Sequence, residues 1–273
     1  MFDILSFFTE DSTTYASKGI VMYLFDEART DEFIHGSLDF YRRAYISDED
    51  LTENMAMMGT TRSEEIKDVL PTEPIIQSGE FAEILTFLLF KKLHPEYDVT
   101  PIRWRWKEEK DRAVHFADIM LLSCPNEERP KSSDKIMTIE VKSRATRPNK
   151  DESSINKAIE GALKDSISRE GKTLSFLLQK YKQSKMFDMA KKVKRFEDAV
   201  AYPYQTRHNA MAIVDSSYID EFHIGNLDHT LIKEIEDFNK THAKNHRSMA
   251  VFVIPMDDLK SKYESIYQEV PNS

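Results

Sequence analysis

From Ser78 to the C-terminus, the hydrophobic period of the chain switches repeatedly between helical and extended, and this alternation limits the fold more than any other feature. After Ser78, an expected N-cap, Phe81, Ile84, Leu85, Leu88 and Leu89 fall on one helical face, and the helix should end near Leu93, ahead of Pro95. Val99 to Trp106 then alternates, with Ile102, Trp104 and Trp106 set against Arg103, Arg105 and Lys107. After a charged turn at Glu108 to Arg112, Ala113 to Leu122 reads as its hairpin partner, and Lys135 to Lys142 as a third strand. Beyond a polar loop, Ser143 to Ser154, helices are expected from about Ser154 to Ser168 and from Thr173 to about Ala201. A strand at Arg207 to Val214, a helix at Asp228 to His242, a strand at Met249 to Ile254 and a helix at Pro255 to Glu269 complete the order. Short strands interleaved with longer helices predict an α/β (α+β) domain, a central mixed β-sheet flanked by helices.

Residues 1–75 read as an N-terminal accessory region ahead of this 76–273 domain. The apolar run Ile20 to Phe25 suits a strand or a helix start equally. Asp31 to Tyr45 carries Ile34, Leu38, Tyr41 and Tyr45 on one helical face, and Ser47 offers an N-cap for a further helix. Thr60 to Pro74 is mostly polar and reads as a connection.

Several function classes drop out early. Seven glycines in 273 residues leave no Walker-type or dinucleotide-binding loop. A lone cysteine, Cys124, rules out an intrachain disulfide and a multi-cysteine zinc site, and fits a reducing, cytoplasmic compartment. No apolar stretch approaches the ~20 residues needed to span a bilayer, so no membrane role is expected. The formal charge of −9 argues against an autonomous high-affinity DNA binder, because phosphate affinity rests on Lys and Arg. A local basic face, or one borrowed from a partner, would still permit nucleic-acid chemistry.

The chemistry is concentrated in two strand-like runs. Asp118 lies in the apolar stretch His115-Phe116-Ala117-Asp118-Ile119-Met120, where a carboxylate is costly unless paired or bound to metal. In Thr138-Ile139-Glu140-Val141-Lys142, Glu140 and Lys142 are two apart and so share a face of a strand. Two adjacent strands would gather all three groups. Two carboxylates and a lysine suit metal-assisted phosphodiester hydrolysis, since Mg²⁺ needs few protein ligands and a lysine can orient water and offset developing charge.

Asp118 followed by Glu140-Val141-Lys142 resembles the PD-(D/E)XK nuclease superfamily, although Ala117 stands where a proline usually precedes the aspartate. The resemblance implies a restriction-endonuclease-like core and a Mg²⁺- or Mn²⁺-dependent nuclease acting on DNA. Asp118 and Glu140 would hold the metal, and Lys142 would position the water. Such families often add a glutamate from the preceding helix, and Gly79-Glu80-Phe81-Ala82-Glu83 offers Glu83 first and Glu80 second. The order of these motifs, with Ala158-Ile159-Glu160-Gly161-Ala162-Leu163 and Met249 to Pro255 following, is similar to the nuclease subunit of the Hachiman antiphage system. That likeness, over about residues 75–260, implies a helicase subunit as partner.

Arg144, Arg147 and Lys150, just past Lys142, are placed to meet a nucleic-acid backbone, though an exposed polar loop would have the same composition. Lysines 180, 182, 185, 191, 192 and 194, with Arg195, could form a second basic face or a solvated one. Trp104 and Trp106 fit packing better than base stacking. The histidines have no metal-ligand spacing, and His115 reads as structural or as support to the site.

Overall fold

A computed structural model describes residues 2–112, 117–126 and 128–273. Its centre is a six-stranded mixed sheet. In chain order the strands are β1 (Phe8–Asp11), β2 (Ile20–Phe25), β3 (Ile119–Ser123), β4 (Lys135–Arg144), β5 (Gln205–Asp215) and β6 (Arg247–Met256). In space the order is β1-β2-β6-β5-β4-β3. The four inner strands run parallel to their inner neighbours, and the edge strands β1 and β3 pair antiparallel with β2 and β4. Residues 1–75 thus supply two strands of the same sheet.

The helices are α1 (Thr30–Tyr45), α2 (Asp48–Met58), α3 (Arg62–Val69), α4 (Pro74–Leu93), α5 (Ser154–Lys164), α6 (Glu170–Gln183), α7 (Phe187–Lys194), α8 (His229–His242) and α9 (Leu259–Glu269). Alternation within the parallel strands sends successive side chains to opposite layers. Met137, Ile139, Val141, Met211 and Ile213 pack with Phe81, Leu85 and Leu89 of α4 and Leu259 and Ile266 of α9. Ala210, Ala212, Val251 and Val253 pack on the other side with Ile155, Ala158, Ile159 and Ala162 of α5. The small alanines of β5 let α5 lie close over the sheet. A third apolar cluster joins Met120, Leu122 and Ile136 to Leu174 and Leu177 of α6 and Val193 of α7. Among the described residues no helix is long and apolar enough to cross a membrane.

Three expected elements take another form. The hairpin between 99–106 and 113–122 is replaced by the β3–β4 pair; from the earlier segment only Val99 bridges to Leu122. Pro101 supplies no ladder donor, and Arg103–Trp106 coils into a 3-10 turn in which Arg103 and Trp104, successive residues, are both buried. Both tryptophans are packing residues: Trp104 meets Phe87 edge-on at 5.6 Å, and Trp106 meets Tyr181 at 5.3 Å. Ala113–Phe116, and with them His115, lie outside the described residues. The α4 helix starts at Pro74, not Ser78, because proline at the first helical position lacks only an N–H that would have no helical partner there. The single helix expected over Thr173–Ala201 is broken between α6 and α7, where Lys185 takes a left-handed φ of 58° and the Met186 N–H returns to the Tyr181 carbonyl.

Candidate active site

The strand β4 lies between β5 and β3 in the sheet. Glu140 is 5% exposed, so it does not belong to the solvated face of an edge strand. It projects to the α5 side. A Cβ added at Gly161 would overlap the Glu140 Cγ and Cδ atoms, so the missing side chain at 161 makes room for the carboxylate. Gly161→Ala therefore forces either Glu140 or α5 to move. Overpacking of this kind costs about 1–3 kcal/mol. Thermal melting should show that loss, and it should largely disappear in a Glu140→Ala background.

Antiparallel pairing brings Asp118 to the same place. The last β3–β4 pair is Ile119 with Ile139, which sets Asp118 opposite Glu140. The Val141 N–H donates to Asp118 Oδ2 at 2.9 Å, tying the aspartate to β4. Arg103 donates to the Ala117 carbonyl, and the Ala117 N–H donates to Thr173 Oγ1 at 3.3 Å, so the residue before Asp118 is fixed on two sides. Lys142 Nζ reaches Glu140 Oε1 at 2.5 Å and Asp118 Oδ2 at 3.8 Å. The Asp118, Glu140 and Lys142 side chains expected together from the sequence are together.

Burial, and then repulsion from Asp118, raise the Glu140 carboxyl above its ordinary range against the pull of Lys142. Burial works against the Lys142 charge, but Asp118 and Glu140 outweigh it and hold the ammonium above its usual value. The lysine is therefore a protonated donor at neutral pH.

The two helix glutamates part company. Glu80 is buried in an ion pair with Lys107, Nζ to Oε1 at 2.6 Å, and accepts from the Tyr45 hydroxyl at 2.8 Å. Tyr45 in turn meets the Tyr267 hydroxyl at 2.7 Å. Both Glu80 oxygens are thereby engaged in the core. Glu83 accepts from Trp104 Nε1 at 3.0 Å. Burial pushes its carboxyl up to about 8, opposed by Arg103 and reinforced by the negative charges of Asp118 and Glu80. Glu83, which also adds to the field on Lys142, is the glutamate that faces the site electrostatically.

Among the described residues no three His, Cys, Asp or Glu side chains gather closely enough to hold a metal ion by themselves. Two mutually repelling carboxylates, Asp118 and Glu140, with a cation already drawn between them, still fit the needs of magnesium. That ion is commonly held by one or two carboxylates, with water and substrate oxygens completing the shell. Glu83 is near enough to act electrostatically on Asp118 and Lys142, but the three carboxylates do not close into one ligand set.

The basic loop beyond β4 is partly self-paired. Arg144 donates from Nε to the Thr146 carbonyl and from Nη2 to the Arg147 carbonyl, both at 3.1 Å, and lies 3.6 Å from Glu152. Arg147 lies over the Phe222 ring and 3.9 Å from Glu221. Lys150 is exposed. Lys142, Ser143, Arg144, Glu152 and Lys157 line a cavity of about 200 Å³ that adjoins the site at Lys142, and Lys157 is paired there with Glu152 at 2.9 Å. Lys157 escaped the sequence reading, as did Asp165 and Arg169 between α5 and α6; all three lie in helical stretches that read as amphipathic. Of the distant basic run, Lys192 pairs with Asp98 at 2.5 Å and Arg195 with Asp134 at 2.9 Å, so these two brace α7. Burial pushes the Cys124 thiol up to about 12, which leaves no thiolate for nucleophilic work.

No curated protein matches the chain. The HamA family model matches residues 3–270, nearly the whole length. The chain belongs to the HamA family, the Hachiman antiphage defence proteins.

Proposed function

We propose that the protein is a Mg²⁺- or Mn²⁺-dependent deoxyribonuclease, the effector subunit of a cytoplasmic antiphage complex restrained by a helicase partner. The observation that carries this reading is the convergence of Asp118, just ahead of β3, with Glu140 and Lys142 of the neighbouring β4, with Glu140 buried. Bound at Asp118 and Glu140, the metal would supply an activated water and neutralise charge on the attacked phosphate. Lys142, kept protonated by the two carboxylates, would orient that water through its N–H groups and offset negative charge growing on the phosphate. Asp118, pinned by the Val141 N–H, holds its second oxygen free of that bond. Arg144 and Lys157 of the adjoining cavity, with the exposed Lys150 of the following loop, would meet the DNA backbone. A chain with a formal charge of −9 has little affinity for DNA in reserve, so the partner supplies much of it.

A second reading is favoured by one observation, the lack of three gathered metal ligands among the described residues. On that reading the fold is a catalytically inert DNA-sensing or interaction subunit. Phage challenge of cells carrying the whole defence system separates the two. The nuclease reading predicts that Glu140→Ala with Lys142→Ala abolishes protection while the protein still accumulates and still captures its partner. Full protection by that variant would establish the inert reading.

A further inference from the structure

Between α5 and α6 the helix widens into a single π turn, Asp165–Arg169. Such turns insert an extra residue and are often found at functional sites. Here the turn places a charged pair against Glu140. Asp165 is fully buried, and Arg169 Nε stands 2.8 Å from its Oδ1. Arg169 Nη2 reaches Glu140 Oε2 at 3.2 Å and donates to the Gly161 carbonyl at 2.7 Å. The Arg169 carbonyl accepts from Thr173 Oγ1 at 2.9 Å, the same hydroxyl that receives the Ala117 N–H. One turn of helix is thereby linked to Glu140 on β4 and to the backbone of Ala117, the residue before Asp118.

A terminal carboxylate torsion is broad, so a glutamate held at one oxygen can swivel. Glu140 is held at both: Lys142 at Oε1 and Arg169 at Oε2. The planar guanidinium fixes orientation in a way a lysine cannot, because its donors are set in a rigid fork. We propose that Asp165 and Arg169 are a positioning pair that holds Glu140 by Oε2, so that Oε1 is turned toward Lys142 and Asp118. This deepens the nuclease reading and rests on it. Asp165 anchors the arginine, the arginine anchors the carboxylate, and neither touches substrate.

Removing Arg169 alone would leave Asp165 buried without a counter-charge, which is itself destabilising. The informative variant therefore changes both, Asp165→Asn with Arg169→Met, and is made in the full chain. Calorimetric Mn²⁺ titration should show binding about 10–100-fold weaker than in the natural protein, the usual effect of losing a partner that orients a ligand. Plasmid cleavage should recover most of its maximal rate at saturating Mn²⁺, a separation a merely structural role would not give. Unchanged Mn²⁺ affinity would overturn the proposal.

A second measurement needs no metal. Melting temperatures are compared for Arg169→Met, Glu140→Gln and the two combined. If Arg169 holds Glu140, the loss caused by Arg169→Met shrinks once Glu140 is neutral; strictly additive losses overturn the pairing. A natural protein that takes up no Mn²⁺ would refute the nuclease reading, while the melting comparison still decides the pairing.

Discussion

Lys142→Ala lowers the initial rate of plasmid cleavage by about 10²–10⁴-fold, the range removed with a group that manages a proton or charge at the reacting centre. The direction follows from the position of Nζ, 2.5 Å from Glu140 and 3.8 Å from Asp118. The variant should still bind Mn²⁺, and more readily, since the ammonium no longer competes with a divalent cation for the two carboxylates. Glu140→Gln should lose both binding and cleavage. The pair of results assigns the metal to the carboxylates and the water to the lysine. Rates measured under saturating metal, with the partner present, keep the two effects apart. A Lys142→Ala protein that cleaves at the natural rate would remove the lysine from the mechanism.

The second large effect concerns stability. Lys107→Ala takes from the buried Glu80 carboxylate its direct ion-pair partner and leaves it the Tyr45 hydroxyl and the more distant charge of Arg103; breaking a buried pair by removing one partner costs about 3–5 kcal/mol. In a chain of this size that corresponds to a fall in melting temperature of roughly 5–9 °C. Replacing both members, Glu80→Gln with Lys107→Met, should be much milder, because no unpaired charge remains. Metal binding should survive in the double variant. A loss of Mn²⁺ affinity there would return Glu80 to the metal site and displace Glu83.

These two glutamates show where sequence reading stops. Glu80 and Glu83 sit three apart on one helix, and their own neighbours do not separate them. The decision comes from Lys107 and Tyr45, which folding brings to Glu80 from two other segments. Glu140 and Lys142 were legible because a strand has a period of two, and any strand through Thr138-Ile139-Glu140-Val141-Lys142 turns both to one side. The apolar runs at 135–142, 207–214 and 249–254 fall within β4, β5 and β6, whereas β1 is too short and polar to read as a strand and β2 is an apolar run that suits strand and helix equally. The expected hairpin failed for the opposite reason: alternation over 99–106 comes from large aromatics that pack singly against Phe87, Phe176 and Tyr181, with Pro101 interrupting the ladder. Asp165 and Arg169 were invisible for a third reason. Their contact with Glu140 depends on a π turn, and on the approach of α5 at Gly161, neither of which leaves a periodic signature.

The family places the protein in antiphage defence, and the site supplies a chemistry suited to it. On the proposed reading, an acidic chain with a partly self-paired basic loop would stay quiet until a partner delivers DNA, and that restraint would spare the host genome between infections.

The most direct measurement is cleavage of plasmid DNA in Mg²⁺ or Mn²⁺ by the purified protein, alone and with the proposed helicase partner, against the Glu140→Ala, Lys142→Ala variant. The account predicts metal-dependent cleavage by the natural protein in the presence of the partner, abolished by chelation and absent from the variant. Equal behaviour of the two proteins under every metal and partner condition would contradict it.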